Sequence, residues 1–160
     1  MPSYKKYTKL IIGCGIKKEK DAWNIDYNKK VSPDQIVNLE KNMPFKDNHF
    51  RVLVADFVLC QICDKRKFIK TMNECWRILK SDGIFKIKVP NAQFPCAFQD
   101  PLDCRFFVKE SFDYFNYKHY RYQVFHCGFK PWRILKIKKI SGGKSKIKDR
   151  LYVEMSPHKK

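Results

Sequence analysis

One turn constrains this chain more than any other feature. An apolar run of strand length, Lys9-Leu10-Ile11-Ile12, ends in Gly13-Cys14-Gly15, and a second run, Ala22-Trp23-Asn24-Ile25, ends in Asp26. In an open parallel sheet, ligands bind beyond the carboxyl ends of the strands, where backbone must approach them closely. Glycine permits that approach because it has no Cβ. A carboxylate at the next strand end can accept from both hydroxyls of a ribose. The pattern predicts a sheet that binds an adenosine-containing cofactor at its strand ends.

What is missing narrows the cofactor. A dinucleotide fingerprint needs a third glycine and a helix N-terminus for the pyrophosphate. Here Ile16-Lys17-Lys18 follows Gly15. The acid arrives after about half the usual spacing of roughly 20 residues, which leaves little room for a full helix. No Gly-Lys-Ser/Thr follows, so a phosphate loop is excluded as well. A ligand with a ribose but no pyrophosphate fits better, and S-adenosylmethionine is one.

The chain has 160 residues and a net charge of +18. That length suits one domain with a real core. No apolar run approaches the roughly 20 residues of a membrane span, and Met1 to Lys6 lacks the apolar core of a secretory signal. A soluble cytoplasmic protein is the expectation. The charge has two readings: a surface for a polyanion such as nucleic acid, or for an acidic protein, and a lysine-rich composition without function. Lysines far outnumber arginines and are scattered, not blocked. Seven cysteines show no repeating spacing. Cys60-Gln-Ile-Cys63 has no second such pair to complete a zinc site, so free buried thiols and no metal are expected.

Along the chain, a third strand is expected over Asp34–Leu39 and a fourth over Phe50–Ala55. The fourth is nearly continuous in apolar character, as in a sheet covered on both faces. Phe68, Ile69, Met72, Cys75, Trp76 and Leu79 recur at three- and four-residue steps, which predicts a helix from Lys65 to Lys80. Gly83 stands in the usual helix-stop position. A fifth strand follows over Ile84–Val89. Ala92 to Arg105 is irregular. Short helices are expected over Glu110–Tyr117, with Ser111 or a residue just before it as cap, and over Tyr120–Cys127, with Gly128 at the end. Trp132–Ile140 and Arg150–Met155 alternate about a flexible turn, Ser141 to Lys146, as a terminal hairpin does.

Four segments in this order resemble the class I S-adenosylmethionine-dependent methyltransferases, in particular small members of the type 11 kind. Leu10-Ile11-Ile12-Gly13-Cys14-Gly15 is similar to their first motif and Asn24-Ile25-Asp26 to their acidic strand end. Pro44-Phe45-Lys46-Asp47-Asn48-His49-Phe50 resembles the loop before the fourth strand. Arg77-Ile78-Leu79-Lys80-Ser81-Asp82-Gly83 resembles the helix-to-strand turn. The resemblance spans about Lys9 to Pro157. It implies an α/β, Rossmann-like, mostly parallel seven-stranded sheet in the order 3-2-1-4-5-7-6, with a C-terminal antiparallel hairpin, over residues 1–160 as one compact domain. Few helices are expected between strands one and three, because those connections are short.

The resemblance also implies roles. Backbone at Gly13, Cys14 and Gly15 would face the methionine tail and ribose. Asp26 would take the ribose hydroxyls. Asn38 and Leu39 would border the adenine, and Ala55 and Asp56 would lie near the methionine part. Asn38 replaces the family's usual acid. Cys60 and Gln61 stand where a Glu and a His often follow the fourth strand. Asp100-Pro101-Leu102-Asp103 lacks the histidine of a related substrate-side segment.

The implied function is methyl transfer to an unidentified acceptor. The alternative is a non-catalytic relative that binds nucleic acid or an acidic protein through its basic surface. Asp56, Asp100, Asp103 and His126 are candidate bases, and Arg105 and Tyr114 candidate orienting groups. The acceptor site is expected within Ala92–Tyr117, a loop-rich segment held by the sheet. A basic surface would use Lys136, Lys138, Lys139, Lys144, Lys146 and Lys148 on the hairpin.

Overall fold

The computed structural model describes residues 3–125, 127–142 and 149–160. Its strands are β1 (Lys9–Ile12), β2 (Trp23–Asp26), β3 (Gln35–Ile36), β4 (Phe50–Asp56), β5 (Leu79–Pro90), β6 (Trp132–Ile140) and β7 (Arg150–Pro157). They form one sheet in the order β3-β2-β1-β4-β5-β7-β6. Every pairing from β3 to β5 is parallel, and β7 runs antiparallel to both neighbours. Order and directions match the expectation.

Alternate residues of the central strands point to one face and are buried there: Leu10, Ile12, Leu53, Ala55, Phe85, Ile87, Val153 and Met155. Against them packs α1 (Lys65–Ile78), through Phe68, Met72, Cys75 and Ile78. Asp64 starts this helix by accepting the Lys67 N–H at 2.8 Å, which satisfies one of the free donors of the first turn. A short helix, α2 (Tyr120–Phe125), has no buried residue of its own. Residues 13–49 contain no α-helix, only a 3-10 turn at Lys29–Val31.

Four boundaries differ from the sequence reading. α1 stops at Ile78, and the chain enters β5 at Leu79 without using Gly83. Its last carbonyls are met by tertiary donors instead: Asn48 N on Arg77 O (3.0 Å), His49 N on Ile78 O (2.8 Å) and Lys159 Nζ on Leu79 O (2.5 Å). Gly83 sits where the β4–β5 register shifts, and a Cβ there would come within 2.7 Å of the Leu79 side chain. The third strand shrinks to Gln35–Ile36: Val37 N still donates to Asp26 O as the last bond of the ladder, and the chain then turns where Asn38 Oδ1 accepts Glu40 N. The helix expected at Glu110–Tyr117 is a 3-10 helix at Lys109–Tyr114, and Ser111 Oγ accepts the Val108 N–H. α2 ends at Phe125, and Gly128, with φ +86°, lies beyond it. Most of the hairpin turn, with Lys144, Lys146 and Lys148, lies outside the described residues, as does His126.

Two of the sequence motifs meet in space. The Arg77 guanidinium donates to both Glu74 carboxylate oxygens, to Asp47 and to the carbonyls of Met43 and Phe45. It pins the loop before β4 onto α1. The guanidinium holds the Glu74 carboxyl below its ordinary range. No helix among the described residues is long and apolar enough to cross a membrane.

Candidate functional site

The ends of β1, β2 and β4 frame a cleft of about 540 Å³. Gly13, Asp26, Asn38, Leu39 and Asp56 line it, together with Tyr27, Val37, Phe57, Val58, Gln61 and Leu102. Five of the eight residues expected to hold the cofactor are therefore in its wall. The other three stand behind it. Cys14 N donates to Ile25 O at 3.0 Å, and its thiol is buried beside Ile11 and Ala22. Ala55 is fully buried between β1 and β5. Gly15 N donates to Asp26 Oδ2 at 2.9 Å.

The two glycines act differently. Gly13 has φ +63°, and a Cβ there would lie 2.3 Å from Val58 Cγ2. Its bare Cα lets the turn close against the end of β4. Gly15 has φ +52° with open space around it, so only its backbone conformation asks for glycine.

Asp26 is fixed from both sides. Oδ2 takes Gly15 N and Oδ1 takes Asn28 N, each at 2.9 Å. An ionised carboxylate offers about four acceptor positions, so about two remain for a ligand. Asn24, buried under the same turn, was not singled out by sequence. Its amide donates to Glu19 O, Ala22 O and Asp34 Oδ2, and its Oδ1 accepts Glu19 N. It ties down a connection that has no helix to hold it.

The opposite end of the cleft is built from distant parts of the chain. Asp56 pairs with Lys88 at 2.8 Å. Phe57 lies in the cleft wall at φ +59°, a left-handed conformation that is an outlier for a bulky side chain. Nothing in the sequence signals it. Cys63 and Cys104 form a disulfide, with Cα atoms 5.4 Å apart. This corrects the expectation of free thiols for that pair. Cys104 N and Arg105 N both donate to Cys60 O, which brings the segment alongside. Cys14, Cys60, Cys75, Cys96 and Cys127 are free. Among the described residues, no group of three or more His, Cys, Asp or Glu is placed to hold a metal.

Arg105 is engaged in structure. Its Nε donates to Ile62 O at 3.1 Å and its guanidinium covers the Phe68 ring at 3.9 Å. Burial lowers its pKa. One Asp103 oxygen is buried without a hydrogen-bond partner, close enough to Cys60 that, after burial itself, it raises that thiol's pKa. Asp100 accepts Leu102 N, and the Tyr114 hydroxyl accepts from Arg121. Neither lines the cleft. The expected acceptor segment divides in two: Phe107 and Phe112 are buried, while Phe94, Phe98 and Phe106 are exposed and Leu102 reaches the cleft.

A family model described as a methyltransferase domain, of type 11, matches residues 4–87 of the 160. The chain belongs to the S-adenosylmethionine-dependent methyltransferases. No curated protein matches it by sequence. Its fold is similar to that of a S-adenosylmethionine-dependent methyltransferase from Methanosarcina mazei, with 15% identity, a TM-score of 0.64, and coverage of 93% of this chain and 91% of the other. A similar enzyme from Clostridium acetobutylicum gives 12% identity and TM-score 0.64, over 94% of this chain and 84% of the other. A chain in the complex of the Haloferax volcanii Trm112 methyltransferase activator with a protein assigned as a methyltransferase gives 15% identity and TM-score 0.64, over 99% and 86%.

The cofactor of this methyltransferase is S-adenosylmethionine, and the cleft suits it. About 540 Å³ lies within the range of small-molecule sites. The walls combine apolar side chains with a few fixed polar groups, and the bare Cα of Gly13 lets the turn close on β4.

Proposed function

We propose that residues 1–160 act as one methyltransferase domain that binds S-adenosylmethionine across this cleft and passes its methyl group to an acceptor arriving on the Leu102 side. Asp26 accepts from the ribose hydroxyls. Val37 and Leu39 flank the adenine, and Asn38 offers it a polar edge. Gly13 and the backbone from Asp56 to Val58 border the methionine end. Cys14, Gly15 and Ala55 support this wall from behind. The cofactor supplies an activated methyl group, so the protein's main task is alignment. Asp56 is the acidic group best placed to meet an acceptor, since it lines the cleft and is only half covered. Arg105 holds the acceptor side in shape through Ile62, and Asp103 stands behind the same segment.

The observation that carries this reading is the Asp26 carboxylate, locked by two backbone N–H groups with acceptor positions to spare. Calorimetric titration with S-adenosylhomocysteine tests it, followed by turnover on a panel of acceptors. Saturable binding with turnover is expected. Binding without turnover on any acceptor would identify a non-catalytic relative, and absence of binding would overturn the reading.

A further inference from the structure

The sheet has a second face. Residues two apart on a strand share a face, so Lys86, Lys88, Tyr152, Glu154, Lys136 and Lys138 point away from the core that α1 covers. The register aligns them in rows. Lys86 lies beside Glu154 and then Lys136, and Lys88 beside Tyr152 and then Lys138. Leu135, bulged out between Ile134 and Lys136, keeps β6 in step. Lys139 falls on the other face, where its Nζ donates to Gln93.

No α-helix among the described residues packs on this second face. α1 buries its apolar side in the other core, and α2 sets its partly buried Tyr122 against the same core. Residues 13–22 and 27–34, which join β1 to β2 and β2 to β3, make no α-helix. Parallel strands ordinarily have both faces covered, while antiparallel ones such as β6 and β7 can leave one face to solvent. Here only the β1 corner is covered, where Ile11, Cys14 and Ala22 are buried with Val31 packed against them.

The uncovered part is cationic. Lys88 is paired with Asp56, and Glu154 accepts the Tyr152 hydroxyl. Lys86, Lys136 and Lys138 have no ion-pair partner among the described residues. Arg133 extends the patch along β6, its guanidinium near Ser81 O and Ser156 Oγ. Neighbouring cations stand about 6.6 Å apart along a strand and about 10 Å apart across two strands.

We propose that this face binds single-stranded nucleic acid, with phosphates on Lys86, Lys136 and Lys138. The charge calls for a polyanion. A second copy of the chain is disfavoured, because each carries +18. A protein partner needs a buried apolar anchor, and Val52, Val54 and Ile84 on this face are half-buried. A duplex is read by an element that enters a groove, and no α-helix among the described residues stands on this face. An extended strand can lie across it, with Tyr152 between Lys88 and Lys138 as a stacking surface of the kind sheet-based RNA binders use. The inference stands independently of the cofactor site.

The test is fluorescence anisotropy of a labelled oligouridine across a salt series. Binding should weaken as salt rises. The triple variant K86Q/K136Q/K138Q should bind more weakly, and its slope of log affinity on log salt should fall by about 2, from roughly 0.7 per phosphate contact on a single strand. A triple Lys-to-Arg variant at the same positions should keep the wild-type slope. A charge-matched control on the exposed side of α1, K65Q/R66Q/K70Q, should also keep it. An equal fall in the control would overturn the proposal, as would no wild-type binding at physiological salt. Tighter binding of polyglutamate than of oligouridine would overturn it in favour of an acidic protein.

Discussion

The two ends of the cleft are held in opposite ways. At the β1–β2 end the ties are local. Asp26 binds Gly15 and Asn28, Asn24 binds Glu19 and Asp34, and Asn38 caps its own turn. At the Asp56–Cys63 end the ties cross the chain. Cys63 is joined to Cys104 over a separation of 41 residues, and Arg105 reaches Ile62 O over a separation of 43. Local ties form with the strands themselves. Distant ones require that residues 100–105 already lie against α1. The β1–β2 end is thus rigid by construction, while the Asp56–Cys63 end depends on tethers that can be cut one at a time.

The two glycines of the turn should differ most in what a methyl group costs. G13A should cost about 4 kcal/mol of unfolding free energy, since it adds a steric clash to backbone strain. G15A meets open space and should cost about 1 kcal/mol. Urea denaturation of both variants checks this. Equal losses would show that the Val58 contact does not hold the turn.

Reducing the disulfide comes next. A tether closing a loop of this length contributes about 2–4 kcal/mol. C104S should lose that much stability while keeping its affinity for S-adenosylhomocysteine within about threefold, roughly 0.7 kcal/mol. A large loss of cofactor affinity would mean that the two ends are not separable.

R105A removes hydrogen bonds to backbone carbonyls and a ring contact, for a loss of about 1–2 kcal/mol. Turnover should fall in proportion to the folded fraction. A fall in kcat with stability unchanged would return Arg105 to the acceptor site.

The smallest effect concerns pH. The Glu74 carboxyl is held below its ordinary value of 4.5 chiefly by the Arg77 hydrogen bonds. Its contribution is present above pH 4.5 and is lost as pH falls through the depressed folded-state value. The Tm gap between wild type and E74Q should therefore narrow below pH 4.5. A gap constant across that window would show that Glu74 is not held by charge.

The same local–distant divide sets what could be read from sequence. The turn at Gly13 and Gly15, the position of Asp26 at its strand end and the body of α1 rest on short patterns and were legible, whereas the strand order followed only from the resemblance to the methyltransferases. The end of α1 was not legible, because Asn48, His49 and Lys159 satisfy its carbonyls in place of a glycine cap. The Cys63–Cys104 pair follows no spacing rule. Arg105 is ambiguous in sequence, since a cation that binds a substrate and one that ties two backbones look alike. Phe57 was illegible because a bulky residue gives no sequence sign of a left-handed backbone. The bare sheet face was foreshadowed only by the short connections of β1 to β3.

In the proposed binding mode Asp26 holds the ribose. D26N keeps one oxygen to accept a backbone N–H but turns an amide NH2 toward the other, so the turn should lose about 1 kcal/mol, while the charged acceptor is gone. Calorimetry with S-adenosylhomocysteine should show affinity reduced about 10–100-fold, the equivalent of the roughly 1.5–3 kcal/mol expected for a hydrogen bond to a charged group, in a variant that remains folded at the assay temperature. Unchanged affinity in the folded variant would contradict the claim and place the ribose elsewhere in the cleft.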